Sequence, residues 1–218
     1  MLYVLALALA AAVAPAAPPA TPTVSTPVRD SLTHYYVRRD VANVRRLHRL
    51  ARTREDKLLV AYRLFAMTRE QSIIRDIPSD RGVQSPRQLA LISALWAFRA
   101  GTGPKINLPT HGRRSERILD RARDLAPNDP YVLLVRGQSL YYKPGIFGGD
   151  VEAAKETFEQ LKRQMRGRSV PGLHPFEADV WIWMCERKLD EDRARATRRR
   201  LLAQSPPPMF RQFLLDPP

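Results

Sequence analysis

Three groups of residues in this 218-residue chain have types and spacings that could carry chemistry. The first is Gly145-Ile-Phe-Gly-Gly149 followed by Asp150. A glycine-rich turn that leads into a helix can cradle an anion on its free backbone amides. Here no Lys-Ser/Thr pair follows and no strand precedes, so the phosphate-loop reading fails on context. Asp150 reads instead as a helix cap. Gly101-Thr-Gly-Pro-Lys105 fails in the same way. The second is Cys185, the sole cysteine. It lies in an apolar stretch with no assignable His or Asp partner, and reads as a small core residue rather than a nucleophile. A single cysteine excludes both a disulfide within the chain and a cysteine-based zinc cluster. The third group is His34, His48, His111 and His174, which are far apart and form no HExxH pattern. Glu152, Glu156 and Glu159 have the spacing of a solvated helix face. The sequence thus predicts no catalytic, metal-binding or cofactor-binding residue and no cofactor: a protein that is not an enzyme.

Charge is the next candidate for function. The chain carries 36 Lys and Arg against 22 Asp and Glu, a formal net charge of +14. Only six of the basic residues are lysine, so arginine dominates. Such an excess can mark a phosphate-binding surface, because neutralised phosphates release counterions. The arginines, however, are scattered from Arg29 to Arg211 and alternate with acids, as in Arg117, Asp120, Arg121 and Asp124. That interleaving favours solvated helix faces over a continuous basic stripe. The densest stretch is Arg193, Arg195, Arg198, Arg199 and Arg200.

Residues Leu2 to Val13 form an unbroken apolar run, and small residues and prolines follow it. This is the layout of a secretory signal peptide, although no Lys or Arg precedes the run. It is shorter than the roughly 20 apolar residues that span a bilayer, so no transmembrane anchor is expected. Residues 1–20 are read as the signal and 21–28 as a flexible leader rich in Pro, Thr and Ser. The mature chain is expected outside the cytoplasm, in the periplasm or the extracellular space. Export weighs against a nucleic-acid partner.

The elements that would position any site are helices; after residue 28 no period-2 stretch stands out. Val37, Val41, Val44, Leu47 and Ala51 recur along one helical face. Leu58, Tyr62, Phe65 and Arg69 continue the rhythm in a second helix with Thr53 as its cap. Ser85-Pro86-Arg87-Gln88 combines an N-cap, proline at the first helical position and a capping-box glutamine. The helix it opens stops at Gly101-Thr-Gly-Pro104. A fourth helix is predicted from about Arg113 to Leu125, after a loop from Ala100 to Gly112. Asn128-Asp129-Pro130 starts a fifth, Asp150 a sixth and His174-Pro175 a seventh. An eighth runs from near Asp190 to about Gln204, and Met209 to Leu215 could close the chain as a short helix. The chain is all-α, with antiparallel helix hairpins in series.

Helical hairpins in series call for a search for internal repeats. Ala122-Arg-Asp-Leu125-Ala-Pro127 resembles the Ala-x-x-Leu-x-Pro ending of a tetratricopeptide repeat. Gly137, Leu140, Gly149, Ala154, Phe158 and Leu161 occupy matching packing positions in the next stretch. Gly and Ala let paired helices touch, while Phe and Leu fill the space beside them. Ser115, Ala154 and Ala194 are separated by 39 and then 40 residues, and so are Ala122, Leu161 and Leu201. This is longer than the usual period of about 34, and Lys143 to Gly148 reads as an insertion. Ser115 replaces the usual Ala, and Arg198 stands where a large aromatic is expected. Tyr141-Tyr-Lys-Pro144 and Phe147-Gly-Gly-Asp150 are also similar to stretches of exported bacterial repeat proteins.

The resemblance covers about residues 85–206. Residues 29–84 read as a divergent N-terminal hairpin and linker, and 207–218 as a short helix and tail. It implies a short right-handed superhelix whose concave face, lined by first helices, binds another protein or an extended peptide. Exposed positions there would include Trp96, Leu134, Gln138, Tyr141, Ile182 and Glu186. Trp96 and Tyr141 are either binding anchors or packing residues. Trp181 and Trp183 point to nearly opposite sides of their helix, so one must pack against a further element or be exposed. The function expected is a non-catalytic protein-interaction scaffold of the cell envelope; the alternative is a basic helical module that binds nucleic acid or another polyanion.

Overall fold

The computed structural model describes residues 27–217. The expected signal peptide and all but the end of the leader lie outside the described residues. Ten α-helices and three short 3-10 turns make up the described chain, and no strand occurs among the described residues. The helices are α1 Pro27–Val37, α2 Val41–Leu50, α3 Arg54–Thr68, α4 Pro86–Thr102 and α5 Leu108–Leu125. They continue as α6 Pro130–Tyr142, α7 Val151–Gln164, α8 Phe176–Leu189, α9 Glu191–Ala203 and α10 Pro208–Leu215. The protein is all-α, and consecutive hairpins pack on one another: α4 with α5, α6 with α7, α8 with α9, and α7 against α8.

Most helix starts follow from their caps. Thr53, Ser85, Asp129, Asp150 and Asp190 each accept a backbone N–H of the first turn on a side-chain oxygen. Pro86 and Pro130 sit in the first turn, where a missing N–H costs nothing. Three boundaries differ from the sequence-based expectation. The face Val37 to Ala51 is divided between two helices. Arg39 adopts a left-handed φ of 61° and Asp40 caps α2 through the Asn43 N–H. Val37, Val44, Leu47 and Ala51 are nevertheless all buried, with Val41 packed partly against the core. Second, α5 starts at Leu108, inside the expected loop, after a 3-10 turn at Lys105–Asn107. Third, α1 takes in Pro27 and Val28, the last two residues of the expected leader.

Packing inside the hairpins rests on small residues. A Cβ on Gly137 would stand 2.5 Å from the Phe158 ring. Phe158 in turn stacks on Trp181 at 5.3 Å, which joins α6, α7 and α8. Ala122, Ala154 and Leu161 are likewise fully buried. Leu140 is half-buried. Gly149 is needed for close approach, since a Cβ there would meet the Lys143 carbonyl oxygen at 1.8 Å. Ser115 is buried and paired: Ser93 Oγ donates to the Ser115 carbonyl and Ser115 Oγ to the Ser93 carbonyl, at 2.8 and 2.9 Å. Arg198 uses its Nε to donate to the Leu214 carbonyl at 2.6 Å, and so ties α9 to α10. Two expected packing residues are corrected. Leu125 and Pro127 are exposed, because the buried stripe of α5 runs through Ser115, Ile118, Leu119 and Ala122 and ends there. Trp181 and Trp183 are both buried, Trp183 donating to the Ala194 carbonyl across the last hairpin.

The connections between paired helices show a further regularity. Pro104 and Pro144 each start a 3-10 turn, Lys105–Asn107 and Gly145–Phe147. A step of 40 residues separates Pro104 from Pro144 and Ile106 from Ile146. Residues 143–148 are thus the counterpart of 103–108 rather than an isolated insertion.

Candidate functional site

The face on which the first helices of the hairpins meet is covered by the chain's own α3. Phe98 of α4 stacks on Tyr62 and Phe65 of α3, with centroids 5.5 and 4.8 Å apart. Tyr62 Oη donates to Gln138 Oε1 of α6 at 3.0 Å. Arg63, only 1% exposed, makes a two-pronged ion pair with Glu177 of α8 at 2.7 and 2.9 Å. Its Nε and Nη2 also donate to the Gly172 carbonyl, at 3.1 and 2.8 Å. The Tyr36 and Tyr62 rings lie against the guanidinium, at 4.4 and 5.1 Å. Gly172 has a φ of +77° and lies so close to Leu59 and Tyr131 that a Cβ would clash with both. Burial raises the Tyr62 and Tyr131 hydroxyl pKa values well above their ordinary range. The Tyr36 hydroxyl is pushed up to about 12, again by burial, partly offset by the nearby Arg63 charge. This centre is polar, buried and satisfied, so it clamps elements together and presents nothing to a ligand.

Five of the six side chains expected to line an open groove are internal, which corrects that expectation: four are buried, Trp96, Tyr141 and Glu186 against α5, α8 and α9, and Gln138 alone is hydrogen-bonded to α3. Leu134 is fully buried, and Trp96, Tyr141 and Glu186 are buried. Gln138 is taken up by Tyr62. Ile182 is half-buried against the core. Tyr141 packs on Trp181 and carries the Lys188 ammonium 3.7 Å from its ring centroid. Glu186 Oε1 pairs with Arg193 Nε at 3.0 Å. For Trp96 and Tyr141, packing is what the structure shows.

Six of the nine exposed large apolar side chains among the described residues lie on or beside the turns at one end of the stacked hairpins; Leu50, Leu125 and Leu215 do not. The α4–α5 and α6–α7 turns lie at that end by connectivity, as does the tight α8–α9 turn. Lys188 near the end of α8 donates to the Tyr141 carbonyl near the end of α6 at 3.1 Å. Ile106 is 86% exposed, Ile146 87% and Phe147 65%, with Leu108, Tyr142 and Leu189 also open to solvent. Lys105 and Lys143 flank the two isoleucine turns. The sequence carried a signal for this edge, two Pro-x-Ile turns 40 residues apart. It is invisible until the equivalence of the two loops is recognised.

Cys185 is fully buried and burial pushes its thiol up to about 12, so the nucleophilic thiolate is suppressed. Among the described residues no group of three or more His, Cys, Asp and Glu is placed to hold a metal ion. No described helix is long and apolar enough to cross a membrane. In the dense arginine stretch, Arg193 and Arg195 pair with Glu186, Glu191 and Asp192.

No family model, curated protein or solved structure matched the chain.

Proposed function

We propose that this chain is an exported, non-catalytic protein-interaction scaffold. Its hairpins from α4 to α9 act as tetratricopeptide-like repeats, and another protein or an extended peptide docks on the turn-bearing edge rather than on the inner face. The observation that carries this reading is the pair of equivalent turns holding Ile106, Ile146 and Phe147 out in water. Large apolar side chains clustered on a surface and rimmed by charge are the usual mark of an interaction site. The inner face is a weaker candidate because α3 already occupies it. A polyanion role draws less support, since most arginines of the dense stretch are engaged within the molecule.

The test is affinity capture from the native cell envelope with wild-type chain and with an Ile106→Asp/Ile146→Asp/Phe147→Asp variant. These side chains lie outside the core, so the variant should melt as wild type does, read by circular dichroism. The reading expects a partner held by wild type to be lost from the variant. Identical captured proteins from both would refute it.

A further inference from the structure

Beside the α4–α5 turn lies a cleft of about 310 Å³ whose polar lining comes from Arg75, Arg99, His111, Gln71 and Asn107, with no carboxylate in the lining. Arg75 follows the 3-10 turn Gln71–Ile74, Arg99 lies in the last turn of α4, and His111 is in the first turn of α5. Three separate elements thus converge with basic or amide side chains. Arg99 Nη1 donates to the Arg75 carbonyl at 3.2 Å, which keeps the two arginine-bearing segments together.

Behind this lining the structure is short of acceptors. His111 Nδ1, Trp96 Nε1 and Arg114 Nε are buried and have no hydrogen-bond partner. The indole and guanidinium groups can only donate, and a buried donor left unmade carries a penalty. The three groups are contiguous: the Trp96 and His111 ring centroids are 5.3 Å apart, and the Arg114 guanidinium lies 4.1 Å from the Trp96 ring. His111 belongs to both sets, because its ring also lines the cleft. The start of α5 adds to the same polarity. Its N-cap Asn107 makes no side-chain cap bond, and the positive end of the helix dipole lies beside the cleft. The nearest carboxylate engaged with this group, Asp80, is already held by Arg121 at 2.6 Å and lies 3.7 Å from Arg114.

We infer that this cleft binds a phosphate group, free or carried on a small organic molecule, with Arg75, Arg99 and His111 as its first contacts. A second basic cleft, which includes Arg52, Arg54, Lys57 and Arg81, contains no orphaned donor and serves as the internal control. The inference is independent of the protein-docking edge.

Isothermal titration of the full chain at low ionic strength, with inorganic phosphate and with glycerol phosphate as probes, tests it. Saturable one-to-one binding at about 10 mM or tighter is expected for at least one probe. Arg99→Ala should weaken it about tenfold or more, the loss of a charge-assisted hydrogen bond. Arg81→Ala in the control cleft should leave it unchanged. Tighter binding of glycerol phosphate than of phosphate assigns the site to a carried group; equal or weaker binding assigns it to the free ion. Should Arg99→Ala not fold, the exposed Arg75→Ala carries the same comparison. No saturable binding of either probe would overturn the inference, as would equal weakening by the Arg99 (or Arg75) and Arg81 substitutions.

Discussion

Arg63 shows how much one residue can decide in a small helical protein. It sits toward the end of the unbroken buried run Leu58–Phe65, and its partner Glu177 is 114 residues away. A buried ion pair is weak evidence of net stability, but removing one partner strands the other charge. Arg63→Ala should therefore cost about 3–5 kcal/mol, read from the shift in urea midpoint. Glu177→Gln, which keeps the shape, tests whether charge or packing dominates. At Gly137 the constraint is steric. Gly137→Ala should cost about 1–3 kcal/mol by overpacking against Phe158; an unchanged melting curve would show that the ring can move aside. The small-residue logic at Gly137, Ala154 and Phe158 was legible in the sequence. Arg63 was not, because nothing local distinguishes a buried arginine from the many solvated ones. Trp96 and Tyr141 were ambiguous for a related reason: spacing assigns a helical face but does not say what covers it.

At the scale of elements, caps carried most of the legible information. A cap is a local event between residues two or three apart, so Thr53, Ser85, Asp129, Asp150 and Asp190 could be read directly. Asp150→Ala should destabilise the chain by about 1 kcal/mol, and Asp150→Asn should restore most of that loss in the same urea titration. The break at Arg39 was hidden because a non-glycine residue in a left-handed conformation leaves no compositional mark. The early start of α5 was masked by Pro104 and Pro109, which read as loop formers although Pro109 falls in the first turn of the helix. The two boundaries differ in functional weight. The first affects only the cap-like N-terminal helices. The second conceals the turn that carries Ile106 and the position of His111 beside the basic cleft.

Across the whole molecule, hairpins in series followed from period and turn signals, whereas the return of the N-terminal helices did not. α1 touches α10, and α3 reaches α4, α6 and α8, through contacts between residues far apart in sequence. Contacts such as that of the Arg63 guanidinium with the Glu177 carboxylate and the Gly172 carbonyl hold such closure. The buried titratable groups give the assembled fold a direction of pH sensitivity. Cys185, Tyr36 and Tyr141 are each pushed up to about 12 by burial, from ordinary values of 9.0 for the thiol and 10.0 for the phenols. The folded state thus keeps protons that the unfolded chain releases. Their contribution is complete below about pH 8, where the unfolded thiol begins to titrate, and is lost as pH rises toward 12. The urea midpoint should fall between about pH 8 and pH 10.5, and Cys185→Ala should reduce part of that slope.

The proposal that partners meet the turn-bearing edge while α3 seals the inner face is tested most directly by site-specific photocrosslinking. A crosslinker is placed at Phe147 in one variant and at Gln138 in another, and both are irradiated in the native envelope. The account predicts crosslinks to a second protein from position 147 and only crosslinks within the chain from position 138. Partner crosslinks from 138 with none from 147 would contradict it.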